Sequence, residues 1–306
     1  MLACEGFSRV SAEMGIQIMN IRVAVFFVSL LLLAAGPINA ADESQYKPLQ
    51  HKFQVYLGGF FPDVSSKITI NGEVLPPGPG LDLEEVFGLE DSKALLWGGA
   101  RWRISRRNHL EFEFVNLNRD GTRTAISEDI QIGDSIVKVG GRVDSTFDIT
   151  LARLTYGFSL VRNDRMDIQL KAGLHLADLS TSLTLSGAAC EVTMPGQMDC
   201  IGGAVPVVES QDITAPLPHF GGSFVYGITP SIAARLQIIG FAIELDKIDG
   251  SLVELDADFI WQPWDHFGFG VGLRYFDTNI ESKSSDLNGK FEFDYFGPTL
   301  YVFGTF

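Results

Sequence analysis

From Val253 to Tyr275 the chain writes one pattern twice. Val253, Leu255, Ala257, Phe259 and Trp261 fall on one face of a period-two segment, with Glu254, Asp256, Asp258 and Gln262 on the other. After Pro263–His266, the residues Phe267, Phe269, Val271, Leu273 and Tyr275 repeat the apolar face, opposite Gly268, Gly270, Gly272 and Arg274. Alternation over about ten residues is the mark of a β-strand with two unlike surroundings. Phe291, Phe293 and Tyr295 alternate with Glu292 and Asp294 in the same way. Any fold for this chain must therefore separate a greasy face from a charged one along many strands.

Composition narrows where that is feasible. The 306 residues are 46% hydrophobic and 20% charged, with 23 Phe, 32 Gly and a net charge of −15, yet the mean hydropathy is +0.15. So many aromatic and aliphatic residues exclude disorder, and so few charges exclude a coiled coil. The acidic balance argues against nucleic acid as a partner, because that binding runs on Lys and Arg.

The connections alternate in length. They are short at 105–108, 162–165, 229–231 and 263–266, and long at 62–92, 119–145, 187–212 and 281–289; only 247–250 is short where a long one is due. Short turns on one side and long loops on the other are the asymmetry of a membrane barrel. The pattern predicts an all-β fold, an antiparallel up-and-down transmembrane barrel of about ten strands. They run at roughly 51–61, 93–104, 108–118, 146–161, 165–184, 213–228, 231–246, 250–262, 266–280 and 290–306. Eight or twelve are the alternatives, since Thr122–Val143 can form a further hairpin above the membrane. The competing fold is a soluble sandwich or lipocalin-like barrel with the apolar face inward. Trp102, Trp261, Trp264, Phe267 and Tyr301 gather near strand ends as interfacial girdles would, which favours the membrane.

The N-terminal part reads as a secretory signal. Arg22 precedes an apolar run from Val23 to Ala35, then Gly36-Pro37 leads to small residues at Ala40, and the run is too short to span a bilayer as a helix. Met14 or Met19 is the expected start, and no Cys follows the apolar run, against a lipoprotein. The expected organisation is a signal at 1–40 and a single barrel domain at 41–306. Removing 1–40 takes away Arg9 and Arg22 with Glu5 and Glu13, so the exported part keeps the full −15. It also removes Cys4 and leaves Cys190 and Cys200, which in an oxidising compartment are expected to form a disulfide. Zinc is the alternative, poorly supported by two thiols without a nearby His.

The chain stops at Tyr301-Val302-Phe303-Gly304-Thr305-Phe306. Here the sequence resembles Gram-negative outer-membrane β-barrel proteins, whose last strand ends in an aromatic residue. The resemblance covers the signal, the strand pattern and this terminal segment. It implies residence in the outer membrane among its lipid and lipopolysaccharide, and recognition of Phe306 by the barrel-assembly machinery. One departure is Gly297-Pro298, where the ladder loses a donor and the apolar alternation changes phase, leaving open which of residues 298–306 face lipid. Leu81-Asp82-Leu83-Glu84-Glu85 with Gly88-Leu89 also resembles uncharacterised proteobacterial barrel proteins.

With the apolar faces toward lipid, the other faces define a lumen. It holds Arg101, Arg103, Glu111, Glu113, Arg153, Asp167, Lys171, His175, His219, Arg235, Gln237, Glu254, Asp256, Asp258, Arg274, Glu292 and Asp294. A tight turn at 105–107 would set Arg101 against Glu111 and Arg103 against His109, and Arg274 would lie between Asp256 or Asp258 and Glu292 or Asp294. A barrel of this size has little more room than its own side chains fill. The reading favoured is a salt-bridged, largely filled lumen with a structural or surface-interaction role in the cell envelope; a small-solute channel is the alternative. A lumen or rim hydrolase is third. His175 and His219 share lumen parity and can be cross-strand neighbours that bind a metal or exchange protons, although polar filling is the plainer reading. No His is followed two residues later by Ser, and neither a Gly-x-Ser-x-Gly elbow nor His-Glu-x-x-His is present. No cofactor is expected. The loops carry Asp63, Glu73, Asp82, Glu84, Glu85, Glu90 and Asp91, then Asp120, Glu128, Asp129, Asp134 and Asp144; no spacing matches a calcium loop, so they read as a solvated acidic face, with divalent cations bridging them to lipopolysaccharide as the alternative. Pro76-Pro77-Gly78-Pro79-Gly80 would stiffen the first loop.

Overall fold

The computed structural model describes residues 46–71, 80–124, 130–132, 135–137, 142–186, 189–194, 197–201, 207–245, 248–283 and 288–306, all within one compact unit. The signal segment expected at 1–40 lies outside the described residues. In chain order the strands are β1 (Phe53–Phe60), β2 (Asp63–Ile70), β3 (Leu81–Asp82), β4 (Leu95–Arg103), β5 (Asn108–Thr124), β6 (Ile130–Ile132), β7 (Ser135–Val137), β8 (Arg142–Arg162), β9 (Met166–Ser186), β10 (Ala189–Met194), β11 (Gln197–Ile201), β12 (Val207–Thr229), β13 (Ile232–Leu245), β14 (Ile248–Trp261), β15 (Phe267–Lys283) and β16 (Asn288–Thr305). Two short helices, α1 (Lys47–Gln50) and α2 (Leu83–Phe87), accompany them.

The hydrogen-bonded order β1-β4-β5-β8-β9-β12-β13-β14-β15-β16 closes on itself through β1–β16, giving an antiparallel barrel of ten strands. Closure leaves no unpaired edge, which a sheet in lipid requires. β1 and β2 hold the same register on β16, from Gln54↔Thr305 through Phe60↔Thr299 to Asp63↔Phe296 and Ile70↔Gly289. They are one wall strand interrupted at Phe61-Pro62. The expectation that this strand ends at 61 and yields to a loop is thus corrected: Pro62 and Pro298 each lack a donor, but the chain crosses that gap without slipping. A Cβ on Gly297 would stand 2.3 Å from the Phe61 carbonyl oxygen, so glycine is what lets the backbones close there. Above the barrel, β6, β7, β10 and β11 form a separate four-stranded sheet. It includes the hairpin expected within 122–143.

Polarity inverts partway up the wall. On the lower part of β5, Phe112 and Phe114 are exposed outward while His109 and Glu113 are buried inward; higher up, Asn118 and Asp120 face out and Leu117 faces in. β14 has Val253 and Phe259 outside and Glu254, Asp256 and Asp258 inside, then Leu252 inside above them. β16 has Phe296, Leu300 and Val302 outside and, above Phe296, Phe293 and Tyr295 inside. A closed barrel in a bilayer needs an apolar exterior only across the hydrocarbon; above it the exterior meets water, and the interior can be an ordinary hydrophobic core. Phe60, Val64, Leu117, Phe147, Ile149, Leu252, Phe276, Phe293 and Tyr295 form that core, with Phe276 and Tyr295 stacked at 4.9 Å.

The inversion corrects three expectations. Glu292 and Asp294 do not line the lumen: the inward residues of β16 are the odd ones from end to end. The alternation does not change phase at Gly297-Pro298; only the chemistry of each face does, because the strand there passes from water into lipid. Tyr301 belongs to no girdle, being buried inside against Trp97 at 5.2 Å, whereas Trp102, Trp261, Trp264 and Phe267 do project outward.

Candidate functional site

The lumen is filled from both ends toward its middle. Mid-height, Glu113 is the hub. It accepts from Arg274 Nη1 and Nη2 at 2.8 and 3.1 Å and from the Tyr56 hydroxyl at 3.0 Å, and it forms an ion pair with Arg153 Nη2 at 2.9 Å. Arg274 Nε lies 3.0 Å from Asp256 Oδ1 as an ion pair, and its guanidinium lies 4.5 Å over the Trp97 ring. Arg153 also pairs with Glu254. Five strands on opposite walls are tied by these bonds, and all the charges involved are buried.

The sequence placed these residues on one face but chose partners along neighbouring strands. The expected registers Arg101↔Glu111 and Arg103↔His109 are present, yet the side chains pair elsewhere. Arg101 donates to the Gln54 side chain at 3.1 Å, and Glu111 accepts from Lys171 at 2.7 Å. Arg103 donates to the carbonyls of Leu49, Gln50 and His51. Arg274 reaches Asp256 as one option foresaw, but its second partner is Glu113 rather than Glu292 or Asp294, which point outward. The physical reason is lumen width: in a narrow barrel a long side chain reaches the far wall as easily as its neighbour. Arg235 does pair across strands, reaching Asp258 through Nε at 2.7 Å, and Gln237 donates to Asp256 at 2.9 Å.

His175 and His219 meet diagonally, since β9 and β12 pair His219 with Gly173 and Leu217 with His175. Their rings are 4.6 Å apart, edge to face. His219 Nε2 shares a hydrogen bond with the Thr155 hydroxyl at 3.0 Å, and His175 Nε2 lies 3.4 Å from Glu254. A Cβ on Gly173 would stand 2.8 Å from the His219 ring, so the glycine is the niche that seats it. Among the described residues no group of three or more metal-ligating side chains comes together.

Each mouth has its own stopper. At the periplasmic end, α1 and its flanks lie across the opening as a strap that sequence reasoning missed. Its carbonyls are capped by Arg103 and by Arg162, which donates to Leu49 O at 2.7 Å; Lys47 pairs with Asp265 at 2.8 Å. Tyr46 occupies the space above Gly227, where a Cβ would meet its ring at 2.4 Å. At the other end the Leu81–Leu89 segment folds inward. Asp82 caps α2 by accepting from Glu85 N at 2.8 Å, and Gly88 ends it with φ of 67°. Leu81, Leu83, Phe87 and Leu89 are buried. Glu84, counted with the solvated acidic loops, instead turns in to pair with the fully buried Arg119 and accepts from the Ser66 hydroxyl at 2.6 Å. Two small cavities between these stoppers are lined by described residues, one of about 70 Å³ above the strap and one of about 10 Å³ beside His175 and Glu254.

Cys190 and Cys200 are directly opposite in the β10–β11 ladder; a bond between them lies outside the described side chains. Phe306 ends the chain just past β16, its amide donating to Phe53 O at 2.8 Å, with its side chain exposed.

No protein-family model matches this chain, and no curated protein matches it in sequence. Among solved structures it is similar to the outer membrane protease OmpT from Escherichia coli, at 11% identity with a TM-score of 0.53, covering 84% of this chain and 97% of that one. It is also similar to Ail, the attachment invasion locus protein of Yersinia pestis (9% identity, TM-score 0.31, 82% and 99% covered). A third is the toluene transporter TodX of Pseudomonas putida (6%, 0.37, 87% and 93%). Of these, the likeness to OmpT speaks to the fold, and to the fold alone. Ten strands closed on themselves, outward-facing aromatics below and ion pairs inside give this chain the fold of the Gram-negative outer-membrane β-barrels.

Proposed function

We propose that this protein is a non-conducting outer-membrane barrel with a structural and surface-interaction role in the cell envelope. The observation that carries the reading is the filled lumen: a strap, a buried ion-pair cluster and an aromatic core succeed one another from the periplasmic to the external end. A solute pathway would have to break all three. The surface part of the role is supported by strand length. β12 has 23 residues, where roughly 9–11 suffice for a tilted strand to cross a bilayer, so much of the wall stands above the membrane. Its outward residues there, among them Asp120, Asp148, Asp277, Glu292 and Asp294, give an acidic flank to which divalent cations could tie anionic lipopolysaccharide.

A non-enzymatic role accords with where the histidines stand. His51, His109 and His266 are at the periplasmic end, and His175 and His219 are sealed in the lumen, so all five lie away from the external rim where a surface substrate would arrive. Planar-bilayer recording of the refolded protein tests the proposal. No steady conductance is expected, with or without Arg274→Met. Ion-selective steps that change selectivity in that variant would replace this reading with a channel, and lipid or peptide hydrolysis lost on His175→Ala or His219→Ala would replace it with an enzyme.

A further inference from the structure

The cavity above the strap is unlike the rest of the lumen in its charge balance. Its wall carries Arg101, Arg103, Arg162, Lys171, Arg235 and the exposed Lys52 against Glu111 and Asp167. Three of the cations have carboxylate partners: Lys171 with Glu111 at 2.7 Å, Arg162 with Asp167 at 3.4 Å, and Arg235 with Asp258 at 2.5 Å. Arg101 and Arg103 have none among the described residues. Arg101 holds only the Gln54 amide oxygen and the Tyr56 ring face, 4.8 Å away. Arg103 holds only the strap's carbonyls. The Nε of each is buried with no hydrogen-bond acceptor.

Guanidiniums removed from water are expensive unless a counter-charge or full hydrogen bonding compensates them. Here two half-buried ones stand at one cavity, each with a buried Nε that has no acceptor and neither with a carboxylate partner. We propose that this chamber binds a small oxyanion, a phosphate or carboxylate group, held by Arg101 and Arg103 behind the N-terminal strap. Planar guanidinium donors fit such oxygens two at a time, and about 70 Å³ suits a group of that size rather than a larger metabolite. Entry is from the periplasm. Besides its carbonyl bonds to Arg103 and Arg162, the strap is fastened there by the exposed Lys47–Asp265 pair, the Tyr46 ring and the Lys47 amide donating to Pro230 O at 2.9 Å; tethered to β1 only at its C-terminal end, it can part and reclose. Binding of this kind needs no conduction and goes beyond the structural role proposed above.

The test uses the full exported chain refolded in detergent micelles. Thermal unfolding and calorimetric titration are followed with sodium phosphate, sodium acetate and sodium chloride at matched ionic strength. A saturable rise in Tm with phosphate or acetate beyond that with chloride is expected, and whichever anion saturates names the group. Arg101→Gln should raise the dissociation constant by about tenfold, as the loss of a charge-assisted hydrogen bond does. Equal stabilisation by all three salts overturns the proposal, as does wild-type affinity in Arg101→Gln. If that variant does not fold, the wild-type comparison of oxyanion with chloride decides the matter alone.

Discussion

Arg274→Met is the substitution that bears hardest on the structural reading. Methionine keeps much of the side-chain volume but leaves Glu113 without its two-pronged partner and Asp256 without the Nε ion pair at 3.0 Å. It also strips the cation from the Trp97 face. Removing one member of a buried ion pair costs about 3–5 kcal/mol, because the remaining charge stays buried. Here the residual charges are Glu113, Glu254 and Asp256 against Arg153 alone, so the upper part of that range applies. Adding Glu113→Gln removes one of the stranded carboxylates, and the double variant should recover about 2 kcal/mol relative to the sum of the singles. Urea unfolding of the refolded protein in lipid vesicles, followed by tryptophan fluorescence and by heat-modifiable gel migration, measures both. A single-variant cost under about 1 kcal/mol, or strict additivity in the double, would mean that the cluster is hydrated and does not hold the barrel together.

Further outcomes follow from other parts of the wall. Gly270→Val places a side chain where a Cβ would already stand 2.0 Å from the Tyr301 ring; overpacking of this kind costs about 1–3 kcal/mol, and unchanged urea stability would contradict the ring's position. His51, in the strap, has its pKa lowered to about 3 by burial and by the Arg103 and Arg101 charges. A released strap takes up a proton near pH 6.5 and the docked one does not. Docking is therefore at full strength above pH 6.5 and weakens as the pH falls toward 3. Hydrogen exchange at residues 46–52, corrected for its intrinsic pH dependence, should lose protection over that window in the wild type, and a flat profile would remove His51 as the cause. The direct Cys190↔Cys200 register is compatible with a disulfide, since directly opposed strand residues have Cα spacings a disulfide accepts. Mass spectrometry should find the exported protein two hydrogen atoms lighter before reduction than after, and free thiols in the oxidised preparation would exclude the bond.

The strands were legible in the sequence because period-two alternation is a local property. Val253–Trp261 and Phe267–Tyr275 announce themselves, and turn residues at 105–108, 163–165 and 263–266 mark where the chain reverses. From these, with the alternating loop lengths and the terminal Phe306, came a closed barrel of about ten strands and the lumen parity of Glu113, Arg235, Asp256 and Arg274. Alternation does not say which side of the wall is which, however. It reports only that two faces differ, and the sign of that difference depends on whether the exterior is lipid or water at that height. Hence Glu292 and Asp294 were placed inside and Tyr301 in a girdle, although one unbroken register runs along β16. Partner choice was equally out of reach. Glu113 and Arg274 are 161 residues apart and meet only because closure brings opposite walls within one side chain's length. The strap and the inward-folded α2 depend on the same closure, since a mouth must exist before a segment can stop it.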